Sequence, residues 1–539
     1  MPSENQGLRS LIVAFATAGA FAAAASVVAE VGKRRAEEGY IEPPPLLLVV
    51  AEAAPWRSGS PPPLWRVLAP KGTPRVVEDE RTGLVVAAEV EPEPEAVPTQ
   101  EAAVGPSNPG DAAPADPVAT AAPSAAAPTS LPTRAPAVPT PLIDADHRGM
   151  IPFYQALSRG TGLARAAHYG DSTIAADGIT GTVRRRLQAR FGDGGPGWVD
   201  AGLDPRWSAR PDLGTKRTGE WETKSILLGG GNGRYGYGGV VSTAPPDGSL
   251  TITGAKGAKI SSGTLTHFEL WYQVGPGHGA FWANLDGASV GGAAADADAR
   301  ADTRLVSDVG EGYSKIAFGA SGGPVPFYGV VMETAGPGVV WDALGVVGVG
   351  SRSFNYFNKA HLASQVERRR PELIVIQLGG NELGIPVLQR GDGHEYAPYY
   401  RAAVDLLRSG APNAGCLIVT PLDQGTREGG TPMTKPAVKR QVAVQQKVAA
   451  EAGCAFWNAF EAMGGEGAIV AWGKRKPPLA WTDLLHLSAA GQDLVGQGLA
   501  DAIEAGYDDW VATGGPDAAP PTPAEPPRGE VLPIPEPAP

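Results

Sequence analysis

The sequence predicts an α/β protein: a three-layer, doubly wound parallel sheet of five strands, into which a β-sandwich is inserted. Three observations carry this reading. Five short apolar runs bounded by Gly, Asp or Pro, at 164–169, 339–349, 373–378, 417–419 and 455–457, have the unbroken hydrophobicity of strands buried on both faces. Helical patterns follow them, as parallel strands joined by crossovers require. The first two runs are separated by far more chain than the dozen or so residues a parallel crossover needs, so something folds between them.

In chain order, residues 10–31 form one apolar stretch behind Arg9, long enough to span a bilayer, and 1–31 read as a signal peptide or a membrane anchor. Val27-Val28-Ala29 offers a small-residue cleavage site, whereas Lys33, Arg34 and Arg35 favour retention on the cytoplasmic side. Residues 32–145 are dominated by Pro, Ala, Glu, Thr and Ser and cannot bury enough apolar surface to offset their ordering entropy. They are expected to be an extended spacer, with a short local strand within 43–57, and the Pro-rich tail 513–539 is expected to be disordered as well. A tether of this kind fits the cell envelope, periplasmic or extracellular, with 10–31 as a membrane tether if it is not cleaved.

The α/β domain opens at 146–205, where the first strand is followed by Ile179, Val183, Leu187 and Phe191, an i+4 stripe on a helix. From 206 to 336 helical periodicity gives way to Gly, Thr and aromatics. Strand-like runs at 221–228, 250–253, 264–274, 280–285, 315–318 and 327–334 predict the inserted sandwich. The strongest local signal is 265–274 and 280–285 joined through 275–279 as a hairpin, with Asp286-Gly287 closing the second strand. Residues 294–302 read as an exposed loop. The domain resumes over 337–512, with a helix that starts at Pro436, carries Val438, Val442 and Val448, and stops at Gly453.

A formal charge of −12 argues against a nucleic-acid partner, which needs a basic stripe, and favours small molecules or uncharged polymers. The two cysteines, Cys416 and Cys454, have no CxxC spacing, and no metal or nucleotide cofactor is expected. They are a disulfide or two core thiols; the thiol reading is favoured because neighbouring parallel strands rarely present disulfide geometry. Arg184-Arg185-Arg186 and Arg368-Arg369-Arg370 read as solvated helix faces, and His168 as a packed core histidine. Trp221, Tyr235, Tyr237, Trp271, Tyr272 and Trp282 either fill the sandwich or stack on sugar rings. By alternation Trp271 lies opposite Phe268, Leu270 and Tyr272, which makes it the candidate for exposure.

Ligands of open α/β sheets bind beyond the carboxyl ends of the strands. The polar residues gather there: Gly170-Asp171-Ser172, then Gly348 through Ser351, then Gly379-Gly380-Asn381-Glu382, and late in the chain Asp483-Leu484-Leu485-His486. Each alone is weak, since a serine at a strand-to-helix turn is more often a cap than a catalyst. Together and in this order they resemble the four blocks of the SGNH/GDSL hydrolase family over about residues 147–506. The resemblance implies Ser172 as nucleophile, His486 as general base, Asp483 as its orienting partner, and an oxyanion hole from the Ser172 N–H, Gly348 and Asn381. Gly345 and Gly350 lie close to Gly348, which is favoured from its place after Leu344-Gly345-Val346-Val347, and Glu382 stands where the family usually carries Asp.

The wording from His168 to Gly197, and Ala462 to Gly467, is similar to envelope esterases of that family, including peptidoglycan O-acetylesterases, some of which carry an inserted carbohydrate-binding-like β-domain. The resemblance implies short acyl esters, O-acetyl above all, on a cell-wall or extracellular glycan as the substrate class, and the chain is expected to be a monomer. A lipid esterase, an O-acyltransferase with the same triad, or an inactive tethered glycan-binding protein are the alternatives.

Overall fold

The structure, a computed structural model, describes residues 75–79, 84–88, 138–202, 209–227, 229 and 232–515. Residues 10–31 and 43–57 and the end of the tail therefore lie outside the described residues. Within the expected spacer, β1 (Arg75–Asp79) and β2 (Leu84–Ala88) pair as an antiparallel ladder. The spacer's last residues also dock: Ile143 bridges Phe456, and the Val138 N–H donates to the Ala462 carbonyl at 3.1 Å. The stretch is thus structured at these places, where β-branched and aliphatic residues interrupt the Pro/Ala composition.

The next strands in the chain are β3 (Leu163–Gly170) and β4 (Gly197–Asp200). Ten more follow before the parallel sheet resumes: β5 (Leu213–Thr218), β6 (Glu222–Ser225), β7 (Val240–Ala244), β8 (Ser249–Gly254) and β9 (Leu265–Val274), then β10 (Ala280–Leu285), β11 (Ala288–Ala294), β12 (Ala301–Tyr313), β13 (Ile316–Ser321) and β14 (Val325–Thr334). After them come β15 (Gly338–Gly345), β16 (Leu373–Gln377), β17 (Gly415–Val419), the small antiparallel pair β18 (Gly425–Glu428) and β19 (Thr431–Thr434), and β20 (Ala455–Trp457).

The parallel sheet has five strands in the order β15-β3-β16-β17-β20. Alternation sends its side chains into two cores. Leu373, Val375, Leu417 and Val419 pack with Phe153, Ile179, Val183, Leu187 and Leu499 on one face. Ile374, Ile376 and Ile418 pack with Leu362, Val366, Val404 and Val438 on the other. The chain leaves β3 to one side for β15 and returns to its other side for β16, so the direction of winding reverses at β3 and opens a crevice at its carboxyl end.

Cys416 and Cys454 form a disulfide with Cα atoms 4.6 Å apart, against the favoured reading of two core thiols. The parallel-strand argument fails because β17 and β20 begin to pair only at Leu417 and Ala455. Cys454 stands just before its strand, free to turn toward its partner.

The insert is a sandwich of a five-stranded sheet, β11-β10-β13-β8-β5, and a sheet of order β12-β9-β14-β7-β6 that β4 joins through β14. Leu250, Ile252, Phe281 and Phe318 from the first meet Phe268, Leu270, Phe327 and Val330 from the second in a shared core. The expected hairpin of 265–274 with 280–285 does not form, because β9 and β10 belong to opposite sheets and 275–279 arches between them. The true tight hairpin is β10 with β11, where Asp286 and Gly287 both have positive φ (49° and 90°), as a primed two-residue turn requires. The loop expected over 294–302 narrows to the residues between β11 and β12.

Trp271 is 0% exposed, contrary to expectation. The second face of β9 does not meet water; it lies on the α/β body, where Trp271 packs edge-on against Trp198 at 5.2 Å and the Arg368 guanidinium sits over its ring at 5.3 Å. Trp221, Tyr235, Tyr237 and Tyr272 are buried too, and of the six aromatics considered for sugar stacking only Trp282 keeps partial exposure. The arginine runs are corrected in the same sense. Arg184 is buried and paired with Asp177 at 2.6 Å, and Arg369 is buried between Asp342 and Glu333. Three consecutive residues sweep most of a helical turn, so one of each triplet must face inward.

Candidate active site

Ser172 is the first residue of a one-turn helix, Ser172–Ala175, that starts where β3 ends. Gly170 permits the tight turn: a Cβ there would lie 2.3 Å from Ile174. Asp171 caps the helix by accepting from the Thr173 N–H at 2.9 Å, and its carboxylate also accepts from the Gly380 N–H. Burial pushes the Asp171 carboxyl up, with these N–H bonds opposing. The Asp171 side chain therefore ties the serine turn to the turn that carries Asn381.

The Asp483–His486 turn approaches from the late loop before the helix Ala489–Ala512. Asp483 Oδ1 accepts from the Leu485 and His486 N–H groups at 3.0 and 3.1 Å, and Oδ2 accepts from His486 Nδ1 at 2.8 Å. Burial raises the Asp483 carboxyl, but the His486 ring and these N–H groups outweigh it and hold it below the usual carboxylate value. With Nδ1–H donating to Asp483, Nε2 is free to accept, and Ser172 Oγ donates to it at 3.2 Å. Leu484 holds a left-handed φ of 59°, which costs energy in a non-glycine residue. The turn is braced by the Gly425 N–H to the Leu484 carbonyl at 2.7 Å and the Trp481 N–H to the His486 carbonyl at 2.8 Å.

Gly348 lies in the turn after β15 with φ of 83°, and Asn381 in the 3-10 turn Gly380–Glu382 after β16. Asn381 Nδ2 donates to the carbonyl of Val349, the neighbour of Gly348, at 2.9 Å. Ser172, Asp483 and His486 are thus joined in one hydrogen-bonded chain, and Asn381 is bonded to the Gly348 turn. Trp481 is half-buried beside the histidine turn. His168 is fully enclosed, accepts from Trp341 Nε1 at 3.3 Å, and is pushed down to about 3 by burial, so it is neutral and outside the site.

Four contacts were not read from the sequence: Asp171 to Gly380, Gly425 to the Leu484 turn, Glu382 to Ser351, and Glu382 to Tyr396. Only the two of Glu382 had a signal, an acid directly after Asn381.

Residues 310–494 match the GDSL-like lipase/acylhydrolase family. Over these residues, which take in most of the second part of the α/β domain, the chain is similar to GDSL-like acylhydrolases. The match takes in Gly348, Asn381, Asp483 and His486 and leaves Ser172 upstream, so Ser172 is connected to the rest by its hydrogen bond to His486. A solved structure described as a peptidoglycan O-acetylesterase in action shares the fold, with a TM-score of 0.55, 22% identity, and coverage of 68% of this chain and 99% of that one. A family two carbohydrate esterase from Clostridium thermocellum aligns with a TM-score of 0.24 and 13% identity over 53% of this chain and all of its own. No curated protein matches the chain. Among the described residues, no His, Cys, Asp and Glu group could hold a metal ion, and no helix is long and apolar enough to cross a membrane.

Proposed function

We propose that the protein removes short acyl groups, O-acetyl above all, from a cell-wall or extracellular glycan, with Ser172, His486 and Asp483 as its triad. One observation carries the reading: the unbroken chain from Ser172 Oγ to His486 Nε2 at 3.2 Å and from His486 Nδ1 to Asp483 at 2.8 Å. In the first half-reaction His486 Nε2 takes the Ser172 proton as Oγ bonds to the ester carbonyl carbon. The carbonyl π electrons move onto oxygen, and the N–H groups of Ser172 and Gly348 and the Asn381 side chain donate hydrogen bonds to that oxyanion. Collapse breaks the bond to the sugar oxygen, which leaves with the proton from His486. Water then repeats the sequence on the acyl-enzyme, releasing acetate and restoring Ser172.

The Ser172 N–H belongs to a first helical turn, whose N–H groups have no intrahelical partner, which suits it to this task. A disulfide persists only in oxidising surroundings outside hyperthermophiles, so the Cys416–Cys454 bond supports an envelope location. The glycan substrate is supported by the fold shared with a peptidoglycan O-acetylesterase.

The test is turnover of nitrophenyl acetate and acetate release from O-acetylated peptidoglycan. Ser172→Ala is expected to lower kcat by about 10³-fold or more. Turnover indifferent to that substitution would sink the triad. Acetyl transfer to glycan in excess of acetate release would make the protein a transferase instead.

A further inference from the structure

Beneath the turns that carry Gly348 and Asn381 lies a buried polar cluster that the acyl-transfer steps above do not use. Glu382 is 3% exposed. One carboxylate oxygen accepts from Ser351 Oγ and the other from Tyr396 Oη at 2.5 Å, while the N–H groups of Ser351 and Arg352 also bond to the carboxylate. Tyr396 Oη in turn accepts from Gln441 Nε2 at 3.3 Å, and Gln445 Nε2 donates to the carbonyl of Leu378 at 2.8 Å, just before Gly379. Space here is fully used: a Cβ on Gly350 would fall 2.7 Å from Glu382 Cγ, and one on Gly379 would fall 2.3 Å from Gln441 Nε2.

The topology says why a brace is needed. The Gly348 turn follows β15 and the Asn381 turn follows β16, and these strands are not neighbours, because β3 runs between them. No sheet hydrogen bond registers one turn against the other. Two side-chain links do span the gap: Asn381 to the Val349 carbonyl, and Glu382 to Ser351. A buried carboxylate is costly to desolvate and adds little net stability even when fully bonded, so its retention points to geometry. Oxyanion donors act only if they converge on one point to within about 0.5 Å.

We infer that Glu382 is a positioning residue, which fixes the Gly348 turn against the Asn381 turn so that both donors meet at the oxyanion. The inference rests on the esterase reading above. Because the donors engage the transition state more than the bound ester, losing the brace lowers kcat and leaves KM nearly unchanged.

The experiment is steady-state kinetics of the full chain on nitrophenyl acetate. Glu382→Gln replaces an acceptor facing four donors with a group that is itself partly a donor, and is expected to lower kcat on the order of 10–100-fold. Ser351→Ala removes the hydroxyl bond from this link while the Ser351 and Arg352 N–H groups still hold the carboxylate, and is expected to lower kcat roughly 3–10-fold, with KM within about 2-fold. The double variant should lose much less than the product of the two, since both act through one contact. If Glu382→Gln fails to fold, Ser351→Ala decides alone. An active wild type whose Ser351→Ala variant keeps full kcat, or loses efficiency only through KM, overturns the inference and leaves the esterase reading standing. A wild type inert toward esters overturns both.

Discussion

At the scale of single residues, Ser172 and Asn381 were visible because each follows a strand that the sequence marks plainly, and Asp483 and His486 because their spacing completes the four-block pattern. Gly170-Asp171-Ser172 closes the first strand of the parallel sheet, and Asn381 follows the third of its predicted runs. What sequence could not reveal is which neighbour each polar atom finds. Glu382 stands out in the sequence only as an acid where the family usually carries Asp, and its partners Ser351 and Tyr396 appear only in the structure. His168 shows how far burial alone moves a group. Its ring is pushed down to about 3, so the native state stays neutral while the unfolded chain takes up a proton below its ordinary value near 6.5. Stability from this residue is complete above that value and falls with pH toward the folded value, at about 1.4 kcal/mol per pH unit. Urea denaturation between pH 6.5 and 5 is the diagnostic window, because most carboxylates have not yet begun to protonate. His168→Gln should flatten the slope there by about one proton, and an unchanged slope would mean that His168 is not the group that titrates.

Among the elements, the five parallel strands were legible because strands buried on both faces need no alternation and stand out as solid apolar runs. The insert was read less well, for two physical reasons. β5, β11 and β12 are rich in Thr, Lys, Asp, Ala and Gly and lie largely at the surface, so they carry little hydrophobic signal. Pairing was inferred from nearness in sequence, whereas a sandwich sends consecutive strands to opposite sheets, as β9 and β10 do. The disulfide depends on where two strand ends fall. It closes a loop with a sequence separation of 38 and joins β17 to the start of β20 at the edge of the sheet. Restriction of the unfolded chain by such a loop stabilises the fold by about 2–4 kcal/mol. Denaturation with and without reductant should show that loss. Cys416→Ala with Cys454→Ala should reproduce it and abolish the effect of reductant, and a reductant-insensitive midpoint in the native sequence would refute the bond.

For the whole molecule, the question is whether the sandwich is a loosely tethered module or one body with the α/β domain, and the junction answers it. Arg369, on the helix Lys359–Arg369, bonds Asp342 of β15 at 2.8 and 3.0 Å and Glu333 of β14 at 2.6 Å, and Arg165 of β3 reaches the same Glu333 at 2.7 Å. Asp342 also accepts from the Trp198 N–H of β4 at 2.8 Å. One buried network thus holds the parallel sheet, a flanking helix and the insert, with Trp198, Trp271 and Tyr237 packed as an aromatic wall beside it. Burial alone would raise the Glu333 carboxyl, but Arg369 and Arg165 hold it down at about 2, so its contribution is complete above its ordinary value of 4.5 and is lost as pH falls toward 2. Replacing Arg369 by Met leaves two buried carboxylates short of a partner, and the cost is about 3–5 kcal/mol at pH 7. Tryptophan fluorescence during urea denaturation reads this directly, since Trp198 and Trp271 sit at the junction. The native chain should unfold in one transition, and Arg369→Met should move it to lower urea and remove part of the acid sensitivity below pH 4.5. Two separate transitions in the native chain would show a loosely tethered module, and a loss under about 1 kcal/mol in the variant would show that the insert is held by its apolar contacts alone.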